Sequence, residues 1–251
     1  MNRYTEKTIL LTGGGGDIAG AAACRLLSEG ARVVLTDFSA DGLAKIAKDL
    51  QEKGFGADRV KTISGDVRML EDCQKAAAFT EREFGRIDGL VAAAGILRHF
   101  PVDELTKEDW QDVIDINLTG VYHSIRAVVP TMKAQNYGRI VLISSIGGRT
   151  GRPGVGVNYA AAKAGIVGMT QSLGYELGPW NITVNCVAPG PLKGRMFHSL
   201  SQDKIDSLTA GVRLPRLGEL ADIAGAIAYL GSDDASWTTG EILDVNGGLQ
   251  Y

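Results

Sequence analysis

Short aliphatic runs alternate with longer amphipathic segments along the whole chain. Runs of about four to eight β-branched and aliphatic residues are typical of buried strands. They predict strands at residues 8–11, 31–36, 60–63, 87–93, 139–143, 182–187 and 241–245. Apolar residues at helical spacing between them predict helices at residues 18–27, 43–50 and 68–84. Because strand and helix alternate from end to end, we predict an α/β fold whose mostly parallel sheet is covered by helices on both faces.

The segment 106–132 carries the longest amphipathic pattern in the chain. Its apolar residues recur at three- and four-residue steps and are Ile114, Leu118, Val121, Ile125, Val128 and Met132. This stripe predicts one long helix that covers the sheet. The longest irregular stretch, residues 189–200, is expected to be a substrate lid, because long loops in compact domains are usually functional.

Nothing in the sequence divides the chain into parts. It contains no low-complexity tract, no repeat of fixed period and no shift in composition. A length of 251 residues is compatible with one large domain or two small ones. We therefore expect a single domain over residues 1–251.

Composition and charge narrow the class of partner. Hydrophobic residues make up 45% and charged residues 22%, which is an ordinary globular balance. The formal net charge is −3 and no basic block is present, which argues against nucleic-acid and anionic-membrane binders and favours a small-molecule partner. No apolar stretch approaches the roughly 20 residues that span a bilayer, and the polar start predicts no export. Three widely spaced cysteines predict neither a disulfide framework nor a metal site, which fits the cytoplasm.

A glycine cluster follows the first predicted strand, where residues 12–20 read TGGGGDIAG. At a strand-to-helix turn, missing side chains let a pyrophosphate approach the backbone N–H groups at the positive helix end. The alternative is a flexible turn, but four successive glycines in this context favour a nucleotide site. Asp37, at the end of the second strand, is placed to accept hydrogen bonds from adenosine ribose hydroxyls, which favours NAD over NADP. Its alternative is a turn or cap aspartate.

Tyr159 and Lys163 lie four residues apart, so on a helix both side chains project from one face. A tyrosine with an ordinary pKa near 10 is a poor base at neutral pH. An ammonium about 4 Å away is worth up to about 4 kcal/mol at an effective dielectric of 20. We therefore expect Lys163 to lower the pKa of Tyr159, which would then act as general acid/base. Ordinary surface helices also carry this spacing, so the pair alone decides little.

Two further positions are candidates for chemistry. Ser144 and Ser145 follow the predicted strand 139–143, and ligands of parallel α/β sheets bind beyond the carboxyl ends of strands. A hydroxyl there can hold a substrate oxygen or simply cap a turn. Asn117 lies inside the predicted long helix, where an amide either faces solvent or has a specific partner.

In their order and spacing these motifs resemble the single-domain branch of the short-chain dehydrogenase/reductase family, from about residue 7 to residue 248. Besides the glycine turn and the YxxxK pair, the matching segments are Gly65-Asp66-Val67, Asn117, residues 182–190 (ITVNCVAPG), residues 216–218 (RLG), residues 222–224 (DIA) and residues 239–248 (TGEILDVNGG).

The resemblance implies a Rossmann-like, doubly wound sheet of seven strands, and a homotetramer or less often a dimer. It also implies hydride transfer between NAD and a secondary alcohol or ketone. Tyr159 would be the general acid/base, Ser145 would orient the reacting oxygen and Lys163 would hold the nicotinamide ribose. Asn117 would support a water-borne proton relay. The implied cofactor-binding residues are Gly13, Gly15, Gly16, Asp17, Ile18, Asp37, Phe38, Asp66, Val67, Ala93, Gly95, Tyr159, Lys163, Pro189, Gly190 and Leu192.

Four departures from the family pattern concern the cofactor site and the serine. The replacements in the cofactor site are Asp17 and Ala19 for turn glycines, Ala93 for an asparagine and Gly194 for a threonine. Ser145 stands fourteen residues before Tyr159, one more than is usual, so Ser144 and Ser145 both remain candidates.

Two alternatives to the oxidoreductase function remain open. Asp17 and Ala93 favour a cofactor-binding regulator or inactive homologue, and the same fold also supports epimerisation or dehydration. The expected pocket rim mixes polar and apolar residues, which fits a 3-oxoacyl thioester, a sugar alcohol or a cyclic alcohol. These rim residues are Leu97, Arg98, His99, Ile146, Arg149, Arg152, Met196, Phe197 and His198.

Overall fold

Seven parallel strands form one sheet in the part of the chain that the computed structural model describes, residues 2–152, 154–194 and 202–249. The strands are β1 (Thr8–Thr12), β2 (Arg32–Asp37), β3 (Val60–Ser64), β4 (Gly89–Ala92), β5 (Gly138–Ile143), β6 (Ile182–Pro189) and β7 (Ile242–Val245). Their order is β3-β2-β1-β4-β5-β6-β7. The central strands are buried along their whole length and mainly apolar, as expected where helices cover both faces. The prediction of a doubly wound α/β fold is confirmed.

The helices lie in two layers. They are α1 (Asp17–Ser28), α2 (Ala40–Glu52), α3 (Leu70–Phe84), α4 (Lys107–Ile114), α5 (Gly120–Gln135), α6 (Val157–Leu177), α7 (Gln202–Thr209) and α8 (Leu220–Leu230). One hydrophobic cluster packs α1, α2 and α8 against the sheet through residues such as Leu26, Ile46 and Ile227. A second cluster packs α3, α5 and α6 against the other face, with Ile125 and Ile166 at its centre. No helix within the described ranges is long and apolar enough to cross a membrane.

The predicted single helix over residues 106–132 is wrong in one respect. A π-helical turn, Asp115–Thr119, separates α4 from α5. Its central residue Asn117 is fully buried and uses its side-chain amide on the backbone of Ile96, which follows β4. A π-turn adds one residue to a helical turn and commonly marks a functional position. The wider turn brings Asn117 to the sheet-facing side, where the stripe pattern places apolar residues only.

The strand order reverses between β1 and β4, so the helices that follow these strands lie on opposite faces of the sheet. A crevice opens beyond the carboxyl ends of the strands at such a point, and ligands of open α/β sheets bind there. The segments that follow β1, β2, β4, β5 and β6 all emerge at this edge. The predicted lid falls only partly within the described residues, since residues 195–200 lie outside them.

Candidate functional site

The glycine turn between β1 and α1 is packed so closely that side chains cannot be added. A Cβ on Gly13, whose φ is +67°, would lie 2.7 Å from the backbone of Ala94. A Cβ on Gly14 would lie 2.8 Å from Cβ of Leu35 in β2. The turn therefore crosses between the ends of β2 and β4 with its backbone exposed to the crevice. A turn of this kind is what the approach of a pyrophosphate requires.

The positive end of α1 faces the same crevice. Its N-cap is Gly16, which has no side chain to cap the first N–H groups, so the helix end keeps the character of an anion site. Asp17 is the first helical residue, and its Oδ2 lies 3.3 Å from the position that a Cβ on Gly194 would take. The carboxylate interacts favourably with the positive end of the helix dipole, but it repels an approaching phosphate. Ile18 is half-buried and packs on the hydrophobic cluster beneath the turn.

Asp37 holds the glycine turn and the start of α2 at once. Its Oδ2 accepts a hydrogen bond from the Gly15 backbone N–H (3.1 Å), and its Oδ1 accepts one from the Ser39 N–H (2.9 Å). The turn role that local sequence suggested is therefore present, alongside a bond to the predicted cofactor turn. Each carboxylate oxygen retains a second lone pair for a ligand hydroxyl. Phe38 beside it is 77% exposed.

The Asp66–Val67 segment follows β3 and borders the other side of this edge. Asp66 forms charge-assisted hydrogen bonds with Arg68 (2.6 and 2.9 Å), and the guanidinium holds the pKa of this carboxyl below its usual range. Val67 is buried and lies 2.6 Å from the position of a Cβ on Gly120. His123 of α5 approaches the Val67 carbonyl through Nδ1 (3.1 Å).

The segment after β4 brings Asn117 and Lys163 together. A Cβ on Gly95 would lie 3.5 Å from Asn117 Oδ1 and 3.6 Å from Lys163 Nζ. Ala93 donates its N–H to Thr12 O at 3.3 Å, which joins this segment to the end of β1. Asn117 donates from Nδ2 to Ile96 O and accepts from Ile96 N at Oδ1, both at 2.8 Å. The Asn117 amide thus fixes the backbone segment that contains Gly95 by two hydrogen bonds.

The end of β5 meets α6 at the predicted catalytic pair. Ser145 lies close enough to the Tyr159 phenol for its hydroxyl to lower the pKa of that group, and its Oγ accepts the Gly147 N–H at 3.1 Å. Ser144 points elsewhere and donates from Oγ to the backbone carbonyl of Lys163 at 2.8 Å. Of the two candidates, Ser145 therefore lies beside the phenol.

Burial sets the electrostatics of the pair. Lys163 is only 5% exposed, its Nζ donates to Ile143 O at 2.7 Å, and desolvation lowers its pKa from 10.5 to about 8. Burial raises the pKa of Tyr159 above its ordinary value near 10, and the nearby Ser145 hydroxyl opposes this shift. The expectation that Lys163 lowers the pKa of Tyr159 is therefore wrong for this structure. The ammonium lies 5.6 Å from the centre of the phenol ring and is directed to Ile143 instead.

The segment after β6 is fixed by the end of β7. Pro189 ends β6, and the Gly190 N–H donates to Val245 O at 3.0 Å. A Cβ on Gly190 would lie 2.8 Å from Asn246, so this approach also requires glycine. Leu192 forms an isolated parallel bridge with Gly218 and packs on the cluster below the glycine turn. The segment therefore borders the crevice opposite Ser145.

Two arginines of the expected rim are held by carboxylates of the chain itself. Arg98 pairs with Asp109 and Asp112, each at 2.8 Å, on α4. Arg149 pairs with Asp244 at 3.6 Å. Ile146 is buried, and the predicted rim residues Met196, Phe197 and His198 lie outside the described residues.

Sequence reasoning missed two residues that position α6. A Cβ on Gly148 would lie 2.5 Å from the carbonyl carbon of Lys163, so the loop after β5 touches the helix backbone there. Asn158 is buried; its Nδ2 donates to Asp109 O, and its Oδ1 accepts the Tyr159 N–H. The available signals were the Gly147–Gly148 pair directly after the serines and an asparagine at a helix start, a residue type that favours caps.

Comparison with known proteins places this geometry in a family. The family model described as enoyl-(acyl carrier protein) reductase matches residues 15–250. The chain is 40% identical over 243 residues to the 3-oxoacyl-[acyl-carrier-protein] reductase FabG of Haemophilus influenzae, covering 97% of this chain and 98% of that protein.

Solved structures agree in fold along nearly the whole chain. A 3-oxoacyl-[acyl-carrier protein] reductase with bound NAD from Brucella melitensis has a TM-score of 0.90 at 32% identity, covering 99% of this chain and 92% of that one. Levodione reductase also has a TM-score of 0.90 at 32% identity, with 98% of each chain covered. The chain therefore belongs to the short-chain dehydrogenase/reductase family.

Proposed function

We propose that this protein is an NAD-dependent oxidoreductase that interconverts a secondary alcohol and a ketone. Membership of the family makes it an oxidoreductase with a nicotinamide cofactor. The finer proposal is carried by one observation, the contact of Ser145 with the Tyr159 phenol beside the buried Lys163, at the sheet edge that also holds the glycine turn.

The residues of the crevice fit a dinucleotide. The backbone of the glycine turn and the first turn of α1 would hold the pyrophosphate, and Asp37 would accept the adenosine ribose hydroxyls. Val67 would contact the adenine, and Lys163 would donate to the nicotinamide ribose. When bound, the cofactor supplies or accepts the hydride.

Tyr159 would act as the acid in ketone reduction. A phenol whose pKa is raised by burial stays protonated at neutral and mildly alkaline pH, so it can donate its proton to the carbonyl oxygen as the hydride arrives at carbon. The Ser145 hydroxyl would donate a hydrogen bond to the same oxygen and orient it. Asn117 would hold the Ile96 segment in place and support proton supply to the buried Lys163.

NAD is proposed over NADP because of charge at Asp37. A carboxylate within hydrogen-bonding range of the ribose would face the 2′-phosphate of NADP, and the two like charges would repel. The next residue is the exposed Phe38, which offers no positive charge to offset the repulsion. The Brucella melitensis neighbour with bound NAD is consistent with this choice.

The first substrates to test are ketones of two shapes. Similarity to a 3-oxoacyl-[acyl-carrier-protein] reductase favours a 3-oxoacyl thioester, and similarity to levodione reductase suggests a cyclic ketone. Because aspartates of the chain already pair with Arg98 and with Arg149, we expect a substrate that places no carboxylate beside these two side chains.

A homotetramer is proposed from the exposed faces of α5 and α6. Large side chains on these helices face solvent, and small residues between them allow close helix packing. The exposed residues are Tyr122 on α5 and Val157, Ala161, Ala164, Gly168 and Tyr175 on α6. Aromatic residues at this exposure are typical anchors of protein interfaces. Light scattering on the purified chain should give about four times the mass of one subunit.

The alternative function is a cofactor-binding protein without turnover, because the Asp17 carboxylate lies in the first turn of α1. A single assay separates this alternative from the enzyme. The purified chain would be mixed with NADH or NADPH and each ketone, and followed at 340 nm. We expect turnover with NADH, and a loss of about 10²–10⁴-fold in Tyr159→Phe with NADH binding retained. NADH binding without turnover across the ketone panel would favour the alternative, and equal rates in Tyr159→Phe would remove tyrosine from the mechanism.

A further inference from the structure

Three consecutive residues at the end of β5 each contact a different part of the catalytic segment of α6. The Ile143 carbonyl accepts from Lys163 Nζ at 2.7 Å, and the Ser144 hydroxyl donates to the Lys163 carbonyl at 2.8 Å. The Ser145 hydroxyl lies beside the Tyr159 phenol. The middle contact is the one to which the proposed mechanism assigns no role.

Ser144 is buried between the end of β5 and α6. It is 2% exposed, and its backbone N–H donates to Val187 O of β6 at 2.9 Å, which fixes its backbone at the edge of the sheet. Nearby, a Cβ on Gly148 would lie only 2.5 Å from the carbonyl carbon of Lys163. The loop after β5 therefore touches the helix backbone at Lys163 from two sides, once through van der Waals contact and once through a hydrogen bond.

The Ser144 hydrogen bond is not needed to form the helix. Lys163 lies well inside α6, where each backbone carbonyl is the acceptor for the N–H four residues later. The Ser144 hydroxyl adds a second donor to a carbonyl that the helix already uses. Such a bond adds little to the helix itself, but it fixes the height and rotation of this turn relative to the strand end.

We propose that Ser144 is a positioning residue, which sets the place of Lys163 relative to Ser145 and to the nicotinamide ribose by holding the Lys163 carbonyl. The inference rests on the proposed function, because it assigns Lys163 the ribose contact. Both serine candidates then have a role, since each serves a different member of the Tyr159–Lys163 pair.

Two consequences follow for a protein without this hydroxyl. The Lys163 turn gains freedom, and misplacement of a catalytic group by about 1 Å can cost about 10²-fold in rate. We expect Ser144→Ala to lower kcat about 10-fold and to weaken NADH binding about 5-fold, within that bound. The ammonium would also sit differently against its neighbours, which are Ile143 O, the Asn117 amide, the Tyr159 ring and the Cys186 thiol.

The test compares Ser144→Ala with Thr80→Val. Thr80 is buried in α3 and donates its hydroxyl to Ala76 O, so its replacement removes a similar bond in a helix away from the pair. For each protein, kcat, the NADH dissociation constant by fluorescence and the pH dependence of that constant would be measured. Should Ser144→Ala fail to fold, Ser144→Thr and Ser144→Val replace it, because they match in shape and differ in the hydroxyl.

For Ser144→Ala or Ser144→Val, we expect the losses in kcat and in NADH binding that are given above. We also expect a shift in the alkaline limb of the pH dependence of NADH binding. Thr80→Val and Ser144→Thr should remain within about 2-fold of the unmodified protein. Unchanged kcat, NADH binding and pH dependence in Ser144→Ala would overturn the positioning role. So would a lower melting temperature with normal constants for the folded fraction. Failure of the unmodified protein to bind NADH would instead contradict the proposed function.

Discussion

The burial of Lys163 predicts a measurable conflict between stability and function. Its pKa lies at about 8 instead of 10.5, because the ammonium is desolvated between α6 and the end of β5, and no carboxylate among the described residues pairs with it. Each pKa unit is worth about 1.4 kcal/mol, so the charged lysine costs about 3 kcal/mol of unfolding free energy at pH 7. Lys163→Met fills the same space without a charge and should remove this cost.

The pH dependence isolates the effect. Between pH 8 and 10.5 the unfolded chain binds the lysine proton and the folded chain does not, so stability rises with pH across this window. The cost falls to about 1.4 kcal/mol at pH 9.5. The gap in unfolding free energy between Lys163→Met and the unmodified protein should therefore shrink by about 2 kcal/mol from pH 7 to pH 9.5.

Urea unfolding at both pH values measures this gap. Loss of the Nζ hydrogen bond to Ile143 offsets part of the gain, but by nearly the same amount at each pH. Other alkaline titrations, such as that of Cys73, whose pKa burial raises to about 11, contribute equally to both proteins. Lys48→Met on the exposed face of α2 is the matched control and should show no such change. A gap for Lys163→Met that stays constant within about 0.5 kcal/mol would refute the burial argument.

Three further outcomes are expected. The kcat/KM for NADH should fall as pH rises through about 8, because Lys163 then loses the ammonium that would hold the ribose, and a flat profile to pH 9.5 would exclude this dependence. The unmodified protein should prefer NAD over NADP by about 10–100-fold in kcat/KM, and Asp37→Ser with Phe38→Arg should shrink or reverse this preference; equal use of both cofactors would show that Asp37 is not at the ribose. Gly148→Ala should cost about 1–3 kcal/mol because its Cβ meets the Lys163 backbone at 2.5 Å, whereas Gly151→Ala, with open space around it, should melt within about 1 °C of the unmodified protein.

Much of the molecule follows from local pattern. The strands can be predicted because a parallel sheet buried on both faces needs nearly continuous aliphatic runs. The turn can be predicted from its four successive glycines, and the structure gives the reason for two of them: close contacts at Gly13 and Gly14 exclude a side chain. The four-residue step from Tyr159 to Lys163 likewise dictates one helix face. These features depend on the spacing of residue types along the chain, which can be read directly from the sequence.

Other features were decided only by contacts between distant segments. The amphipathic stripe at 106–132 contains no sign of the π-turn, in which the Asn117 amide binds the Ile96 backbone 21 residues earlier. Sequence could not tell the two serines apart, since their separation depends on which hydroxyl meets Tyr159 and which meets the Lys163 carbonyl.

The electrostatics of the pair show the same division. Spacing predicts that Tyr159 and Lys163 are neighbours, and from that alone a lowered phenol pKa follows by Coulomb's law. Desolvation depends instead on how much protein surrounds each group, which only the packed sheet, α6 and the loop after β5 determine. Burial raises the pKa of Tyr159 and lowers that of Lys163, because desolvation disfavours the charged form of each group.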